Sequence, residues 1–432
     1  MNTADHDKRD GMVDGEGGFI YPQSRALLER ACRVIPGGIY GHFGPPPCVP
    51  PEAYPFFSDW AEGCRFRDVD GHEFIDYMCA YGPMILGYKN PVVDQAFRQQ
   101  AEKNDTGSLA APVMVELAEY LCDLIPIADW AFFAKNGADV TNLAVMTARA
   151  ATGRRKIIAI KGGYHGTTPW MQAPGHHGLI ADDWAHVIRI PWNDLTALQQ
   201  ALEEHAGDVA GFISSPYHHP VFADNELPAP GYWDGVSQLL RRHGVVFIID
   251  DVRAGFRLHL GGSNELYGFK PDLICFSKAI GNGYPISALV GVESLRKDVG
   301  RVFHTGSFWF GAGPMAAALA TVKELKRLDA PAMLRETGEK LLNGMVGVAR
   351  SHGYNLKVSG EPSMPYLRIT DDPTLTLHQH WCAECTRRGA YFTSHHNWFI
   401  STAHTEKDIQ ETLDICDAAF KAIRKRFGNG TA

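Results

Sequence analysis

Short apolar stretches recur along the middle of the chain, and each is separated from the next by a helical or loop-forming segment. They lie at residues 130–133, 157–160, 211–213, 245–249, 273–276 and 288–290. Between some of them, residues 195–205 and 234–243 have the apolar spacing of amphipathic helices. Nearly continuous apolar strands that alternate with helices predict an α/β fold with a mostly parallel sheet covered on both faces. Ligands of such sheets bind at the carboxyl ends of the strands.

The pattern changes near residue 320, where strands and helices no longer alternate regularly. The spacing of apolar residues predicts a long helix over 315–328 and a final helix over 408–427, with shorter elements between them. A chain of 432 residues is also too long for one typical domain. The predicted division is an N-terminal arm and segment over 1–75 that packs with the small domain, a large domain over 76–320, and a smaller α+β domain over 321–432.

Two of the predicted strands end in residues of opposite charge. Asp250 ends the 245–249 stretch, and Lys278 follows the 273–276 stretch with a glycine-rich loop behind it. Both residues therefore fall at the same edge of the sheet. Pyridoxal 5′-phosphate (PLP) requires such a pair, because an amine forms a Schiff base with its aldehyde and a carboxylate keeps its ring nitrogen protonated. Taken singly, the two residues could also be a helix N-cap and a lysine that points to water.

Two further motifs follow strands at this edge. Lys-Asn-Gly-Ala-Asp at 135–139 opens a helix that is predicted to run to about Thr152. The free N–H groups of such a helix start form an anion site suited to a phosphate. Gly-Tyr-His-Gly at 163–166 supplies Tyr164, which can stack on a planar ring or be a half-buried turn residue. The order of the four elements, each after a strand, is more specific than any one of them.

Composition and charge narrow the class of protein. Hydrophobic residues make up 45% of the chain and charged residues 21%, as in globular proteins. The net charge of −8 argues against nucleic acid or an anionic membrane as a partner, and no stretch is long and apolar enough to cross a bilayer. The first residues are charged where a signal peptide would be apolar. Nine scattered cysteines suit reduced thiols, so we predict a cytoplasmic enzyme.

One CxxC pair, Cys382 and Cys385, lies near His378 and His380. A metal or redox site is one interpretation of this cluster, but no second CxxC follows it. The segment has the pattern of a helix on which cysteines at i and i+3 share one face. We therefore predict that no metal binds here.

The four motifs together resemble class III PLP-dependent aminotransferases of fold type I, and the similarity extends from about Arg33 to the C-terminus. The matching motifs are Asn136-Gly137, Tyr164-His165-Gly166, Asp250-Asp251-Val252 and Ser-Lys-Ala-Ile-Gly-Asn-Gly-Tyr-Pro at 277–285. Within the family, 36–38 and 401–405 are similar to the glutamate-1-semialdehyde aminomutase branch. Three longer stretches, 77–83, 250–257 and 306–310, look like bacterial aminotransferases that act on hydrolysed fumonisin.

The resemblance implies roles for individual residues. Lys278 would hold PLP and then carry the proton between the substrate and the cofactor, Asp250 would pair with the ring nitrogen, and Tyr164 would act with them in catalysis. The implied cofactor-binding set is Asn136, Gly137, Ala138, Tyr164, His165, Asp250, Val252, Lys278, Ser307 and Thr305. In this set Val252 and Tyr164 would enclose the ring. Ser307 or Thr305 would reach the phosphate of the neighbouring subunit, which implies a homodimer with its active sites at the subunit interface.

The chain departs from the family pattern at several positions. Ala138 and Asp139 stand where the family's phosphate loop usually has Ser or Thr and then Glu, which removes a hydrogen bond of about 0.5–1.5 kcal/mol. The aminomutase branch has a carboxylate-binding arginine shortly after its Pro-Gly-Gly, and residues 39–44 contain none. Arg253 and Arg257 remain candidates for a carboxylate site, although we expect them to hold structure.

The predicted pocket mouth is aromatic and hydrogen-bonding but carries no fixed charge. The residues that map there are Tyr40, His42, Tyr81, Trp170, Tyr217, His218, His395 and His396. We therefore expect an amine with a long or bulky apolar part and hydroxyl or ketone groups, such as an amino-polyol or a fumonisin-like amine, with a small 2-oxo acid such as pyruvate as acceptor. An aminomutase, racemase or lyase on the same scaffold is the alternative, and a binding protein without activity is a third interpretation.

Overall fold

The computed structural model describes residues 11–39 and 51–428. The strands in these residues are β1 (Ser58–Glu62), β2 (Arg65–Asp68), β3 (Glu73–Asp76), β4 (Trp130–Ala134), β5 (Lys156–Ile160), β6 (Val187–Ile190), β7 (Val209–Ser214), β8 (Val246–Asp250), β9 (Leu273–Phe276), β10 (Ser287–Gly291), β11 (Leu356–Ser359), β12 (Tyr366–Ile369) and β13 (Ala390–Tyr391). The α-helices are α1 (Pro22–Val34), α2 (Pro91–Ala101), α3 (Val113–Leu124), α4 (Gly137–Thr152), α5 (Leu195–Glu204), α6 (Tyr232–His243), α7 (Ser263–Tyr267), α8 (Arg296–Arg301), α9 (Ala312–Leu328), α10 (Ala330–Ser351), α11 (Thr376–Thr386) and α12 (Glu406–Phe427).

The central sheet has the strand order β4-β10-β9-β8-β7-β5-β6. Neighbouring strands from β9 to β6 are parallel, whereas β10 is antiparallel to both β4 and β9. Six of these seven strands therefore run in one direction, which confirms the predicted mostly parallel α/β sheet. Strand β6 was not predicted, because Arg189 interrupts its short apolar run and most of its residues are only partly buried at the sheet edge.

Both faces of the central sheet are covered. Ile157 of β5 packs in one apolar cluster with Leu143 of α4, whereas its neighbour Ile158 packs in a second cluster with Leu198 of α5. Successive side chains of a strand point to opposite faces, so each strand contributes to both clusters. This arrangement explains why the strands are apolar at nearly every position and why the sequence pattern located them.

A second sheet joins distant parts of the chain in the order β1-β2-β3-β13. Ala390 of β13 lies opposite Ile75 of β3 in a parallel pair, so segments near the two ends of the chain share backbone hydrogen bonds. Helix α9 runs through residue 320 without a break. The domain limits at residues 75 and 320 stay predictions.

In the described part of the chain, two kinds of feature are absent, namely membrane-spanning helices and side-chain groups arranged as metal sites. Within residues 11–39 and 51–428, no helix combines the length and apolar character that crossing a bilayer requires. Cys382 and Cys385 lie on the predicted helix, α11, where the Cys382 Sγ is 3.6 Å from Nε2 of His378 and both cysteines are buried. In the same described part of the chain, no group of three or more His, Cys, Asp or Glu side chains is arranged to hold a metal ion.

Candidate active site

The carboxyl edge of the central sheet opens into a cavity of about 330 Å³. Strands β8 and β9 are parallel neighbours in which Asp250 lies opposite Cys275, so Asp250 and Lys278 end up at the same edge. Ten of the predicted site residues line the cavity, namely Tyr81, Asn136, Gly137, Ala138, Tyr164, His165, Asp250, Val252, Lys278 and His396. The structure thus brings together the four motifs that were predicted from the order of strands.

Among the described residues, the other predicted site residues do not line this cavity. Tyr217 is fully buried and its hydroxyl donates to the carbonyl oxygen of Met364 at 3.3 Å. Trp170 donates to Oδ1 of Asn142 at 3.1 Å, His218 stacks on Trp192, and His395 packs against Phe222. Thr305 and Ser307 belong to a segment with exposed aromatic side chains, and Tyr40 and His42 lie outside the described residues. Their assignment to substrate or to a partner's phosphate stays a prediction.

Asp250 is held by two donors from the protein. Its Oδ2 lies 2.7 Å from Nδ1 of His165, and its Oδ1 accepts the N–H of Val252 at 3.1 Å. The carboxylate must accept from Nδ1, so the proton of a neutral His165 ring is on Nδ1. The sequence placed His165 in the cofactor set without this role. A carboxylate that is fixed in this way and still lines the cavity fits the protonated ring nitrogen of PLP.

The start of α4 forms a cradle for an anion. Asn136, Gly137 and Ala138 line the cavity, and no hydrogen bond among the described residues uses the N–H of Gly137 or Ala138. Asp139 folds back instead, and its carboxylate accepts the N–H of Asn136 at 2.7 Å. These free N–H groups at a helix start fit a phosphate, which gains about 0.3–1 kcal/mol from the helix dipole alone.

The Tyr164 loop packs directly on this cradle. Gly166 has a φ of +120°, and a Cβ at this position would lie 2.8 Å from the Cβ of Ala138, so only glycine fits without displacement. Thr141 on α4 donates to the carbonyl oxygen of His165 at 2.6 Å and lines the cavity as well. The loop therefore holds Tyr164 and His165 at a fixed position relative to the helix start.

Lys278 adopts an uncommon backbone conformation with a φ of +49°. For a side chain with a Cβ, this left-handed conformation costs about 1–2 kcal/mol, and such costs concentrate at functional positions. Burial, followed by the positive charge of Arg253, lowers the pKa of the Lys278 amine to about 7, although Asp250 acts in the opposite direction. A substantial fraction of this amine is thus neutral near neutral pH, as nucleophilic attack requires.

This pKa leads to a pH prediction for the cofactor-free enzyme. The amine is mostly protonated below pH 7 and mostly neutral above it, so the rate constant for PLP uptake should rise with pH, reach half of its maximum near pH 7 and then level off. Stopped-flow absorbance measurements between pH 5.5 and 10 check this expectation. A rate constant that keeps rising to pH 10, as for an exposed lysine, would contradict the assigned environment of Lys278.

Asp251, the acid next to Asp250, has a different place. Its two oxygens accept from the backbone N–H and the hydroxyl of Ser263, at 2.8 and 2.6 Å, and burial raises the pKa of this carboxyl to about 7. It is buried and does not line the cavity. Asp251 therefore ties the end of β8 to the start of α7.

The sequence did not assign a role to several cavity residues. They are Ala80, Pro83, Thr141, Gly166, Thr167, Ser215 and His219. Arg253, which was named as a candidate for a carboxylate site but was expected to hold structure, lies three residues after Asp250 and also lines the cavity. Arg257 lies away from the cavity and donates to the carbonyl oxygens of Gly82 and Ile400, as expected for an arginine that holds structure.

Comparisons with known proteins agree with this geometry. The pattern of the class III aminotransferases matches residues 49–420. The chain is 40% identical over 407 residues to the aminopentol aminotransferase of Sphingopyxis macrogoltabida, with 94% of this chain and 96% of that protein covered. It is 30% identical to a glutamate-1-semialdehyde 2,1-aminomutase of Methanococcoides burtonii, with 91% and 97% covered.

A solved structure is similar over the same length. The PLP internal aldimine form of the FumI protein of Sphingopyxis sp. MTA144 superposes with a TM-score of 0.92 at 40% identity, covering 94% of this chain and 98% of that one. The predicted fold type I is thus confirmed together with the predicted family. The chain belongs to the class III aminotransferases and is a PLP-dependent transaminase.

Proposed function

We propose that this transaminase moves an amino group from a long or bulky amine, with an amino-polyol as the substrate class, to a small 2-oxo acid such as pyruvate. The observation that carries the proposal is the convergence of Lys278 and Asp250 in one cavity whose wall includes Tyr81 and His396. Tyr81 lies edge-on to His396, with ring centroids 5.4 Å apart. Such a wall offers apolar area and hydrogen-bonding groups to a hydroxylated chain. The aminopentol substrate in the name of the 40% identical relative supports the same class.

PLP, when bound, supplies the aldehyde and the electron-withdrawing ring that the reaction needs. Lys278 would hold PLP through its amine and would then move the proton at the reacting carbon. Asp250, oriented by His165, would keep the ring nitrogen protonated. Tyr164 and Val252 would enclose the ring, and the helix start formed by Asn136, Gly137 and Ala138 would bind the phosphate.

We further propose a homodimer located in the cytoplasm, in which Thr305 or Ser307 reaches the phosphate in the partner's site. The segment around these residues carries Phe303, which is 90% exposed, and Phe308, which is 69% exposed. Apolar side chains this open to water are typical of surfaces that a partner covers. The eight cysteines of the described residues are free thiols, in keeping with a reducing compartment.

A half-reaction screen tests the proposed substrate class. The yellow enzyme is mixed with single amines, namely a long-chain amino-polyol, a plain long-chain amine and alanine, and the loss of the cofactor's visible absorbance is followed. We expect fast bleaching with the amino-polyol and recovery of colour when pyruvate is added. If the amino-polyol bleaches the enzyme no faster than alanine does, the proposed amine class is wrong.

The same assay separates transamination from the aminomutase alternative, which the 30% identity to an aminomutase keeps relevant. A transaminase releases one ketone per turnover and stops without an added acceptor. An aminomutase continues without an acceptor and yields an isomer of the donor. We expect product formation to stop at one equivalent per active site until pyruvate is supplied, as mass spectrometry of the reaction mixture would measure.

A further inference from the structure

Arg253 presents hydrogen-bond donors to the cavity that the protein does not use. Its Nη1 donates to Nδ1 of His219 at 2.9 Å, to the carbonyl oxygen of His219 at 3.3 Å and to Oδ1 of Asn397 at 3.0 Å. Within the described residues, every hydrogen bond of Arg253 involves Nη1, and the side chain lines the cavity. The protein therefore fixes one arm of the guanidinium and leaves Nε and Nη2 for a ligand.

The charge of Arg253 is not balanced by an acid in contact with it. In residues 11–39 and 51–428, no carboxylate oxygen lies within 4 Å of its guanidinium, and its partners are amide, carbonyl and imidazole groups. Burial, followed by the charge of Arg253, lowers the pKa of His219 well below its usual value, so this imidazole is neutral and adds no negative charge. The charge of Asp250 acts on Arg253 through space but forms no ion pair with it. A cation that is largely removed from water and has no acid in contact favours an anionic ligand.

Arg257, the next arginine along the chain, does not share the unused donors of Arg253. Both terminal nitrogens of Arg257 donate to backbone carbonyl oxygens, those of Gly82 and Ile400. Its guanidinium also lies over the ring of Phe399. It is fully buried and does not reach the cavity. Of these two arginines, four residues apart on the same segment, only Arg253 shares the cavity with Lys278.

We infer that Arg253 binds the carboxylate of the 2-oxo acid acceptor, and this inference rests on the proposed transamination. The free edge of a guanidinium matches the two oxygens of a carboxylate and holds it in one orientation. His219 and Asn397 act as positioning residues, because they fix the other arm of Arg253. The acceptor's carbonyl carbon would then face Lys278, which lines the same cavity.

Two acceptors, one with a carboxylate beside its carbonyl group and one without, test the inference. The holoenzyme is first converted to its amino form with a donor amine, and single-turnover rates are then measured with pyruvate and with propanal. For Arg253→Met, we expect the second-order rate constant with pyruvate to fall about 30-fold or more, since a hydrogen bond to a charged group is lost. With propanal the change should stay within about threefold, because no carboxylate is present.

The control is Arg189→Met, which removes another partly buried guanidinium. Arg189 lies on the edge strand β6 and donates to the carbonyl oxygen of Gln172. We expect both acceptors to react with this variant as with the wild type. Equal losses with pyruvate and propanal in Arg253→Met would overturn the carboxylate assignment and point to a contact with the cofactor. If the wild type reacts with neither acceptor, the proposed function fails instead.

A binding measurement covers the case in which Arg253→Met does not fold. Propionate should raise the Tm of the wild-type holoenzyme in a concentration-dependent way, whereas 1-propanol at the same concentration should not. In Arg253→Lys, which keeps the charge but loses the fork, the propionate concentration needed for the same shift should increase about tenfold. A wild-type Tm that responds equally to propionate and 1-propanol would rule out the carboxylate site.

Discussion

Replacing Lys278 by alanine should lower turnover by about 10³-fold or more, because in the proposed mechanism this one side chain both holds the cofactor and moves the proton. The structure gives physical reasons for this expectation. Lys278 lies in the same cavity as Asp250, and burial together with Arg253 brings the pKa of its amine to about 7. The measurement is the steady-state rate with the donor found in the amine screen, together with the visible absorbance after dialysis.

Lys161 offers a matched control at the same edge of the sheet. Lys161 follows the last residue of β5, and Lys278 follows the last residue of β9 after Ser277. Unlike Lys278, Lys161 is exposed and does not line the cavity. Lys161→Ala should retain both colour and turnover within about twofold, as most exposed substitutions do. A Lys278→Ala enzyme that transaminates as fast as the Lys161→Ala enzyme would refute the mechanism.

Replacing Asp250 by asparagine should lower the turnover number about 100-fold or more, while the fold is kept. Asparagine has nearly the same shape and can still accept a hydrogen bond, but it carries no negative charge to keep the ring nitrogen protonated. Losses of this size are typical when a fixed electrostatic partner is removed from a reaction centre. The turnover number and the Tm of the PLP-loaded variant are the two quantities to measure.

Asp251 gives the corresponding control, since it is the next residue and is also buried. Its carboxylate serves Ser263 and does not reach the cavity, so Asp251→Asn should affect stability more than chemistry. The expected cost is about 1–3 kcal/mol of unfolding free energy, with turnover largely kept. If Asp251→Asn loses more turnover than Asp250→Asn, the two acids have been assigned the wrong roles.

The sequence predicted those parts of the fold that depend on local pattern. Strands β8 and β9 are buried on both faces, so their apolar runs were visible, and the residues that follow them had to lie at one edge. Helix α4 was predicted because Gly137 follows a strand and begins a helical pattern. Strand β6 lacked this signal, because a partly exposed edge strand tolerates Arg189.

Contacts between residues that are distant in the sequence could not be predicted from local sequence patterns. The hydrogen bond between His165 and Asp250 joins residues 85 positions apart, and the anchoring of Arg253 by Asn397 joins residues 144 positions apart. Tyr217 was placed near the pocket mouth from its neighbourhood in the chain, but its side chain is fully buried against Met364. Side-chain direction depends on tertiary packing, which the sequence pattern of a loop does not specify.

We propose that the amine of Lys278 is the group that binds PLP covalently. Reducing the yellow holoenzyme with borohydride fixes the bond, and peptide mass spectrometry then locates the attached phosphopyridoxyl group. We expect this group on the peptide that contains Lys278 and on no other. Attachment at Lys135 or Lys161, with Lys278 unmodified, would contradict it.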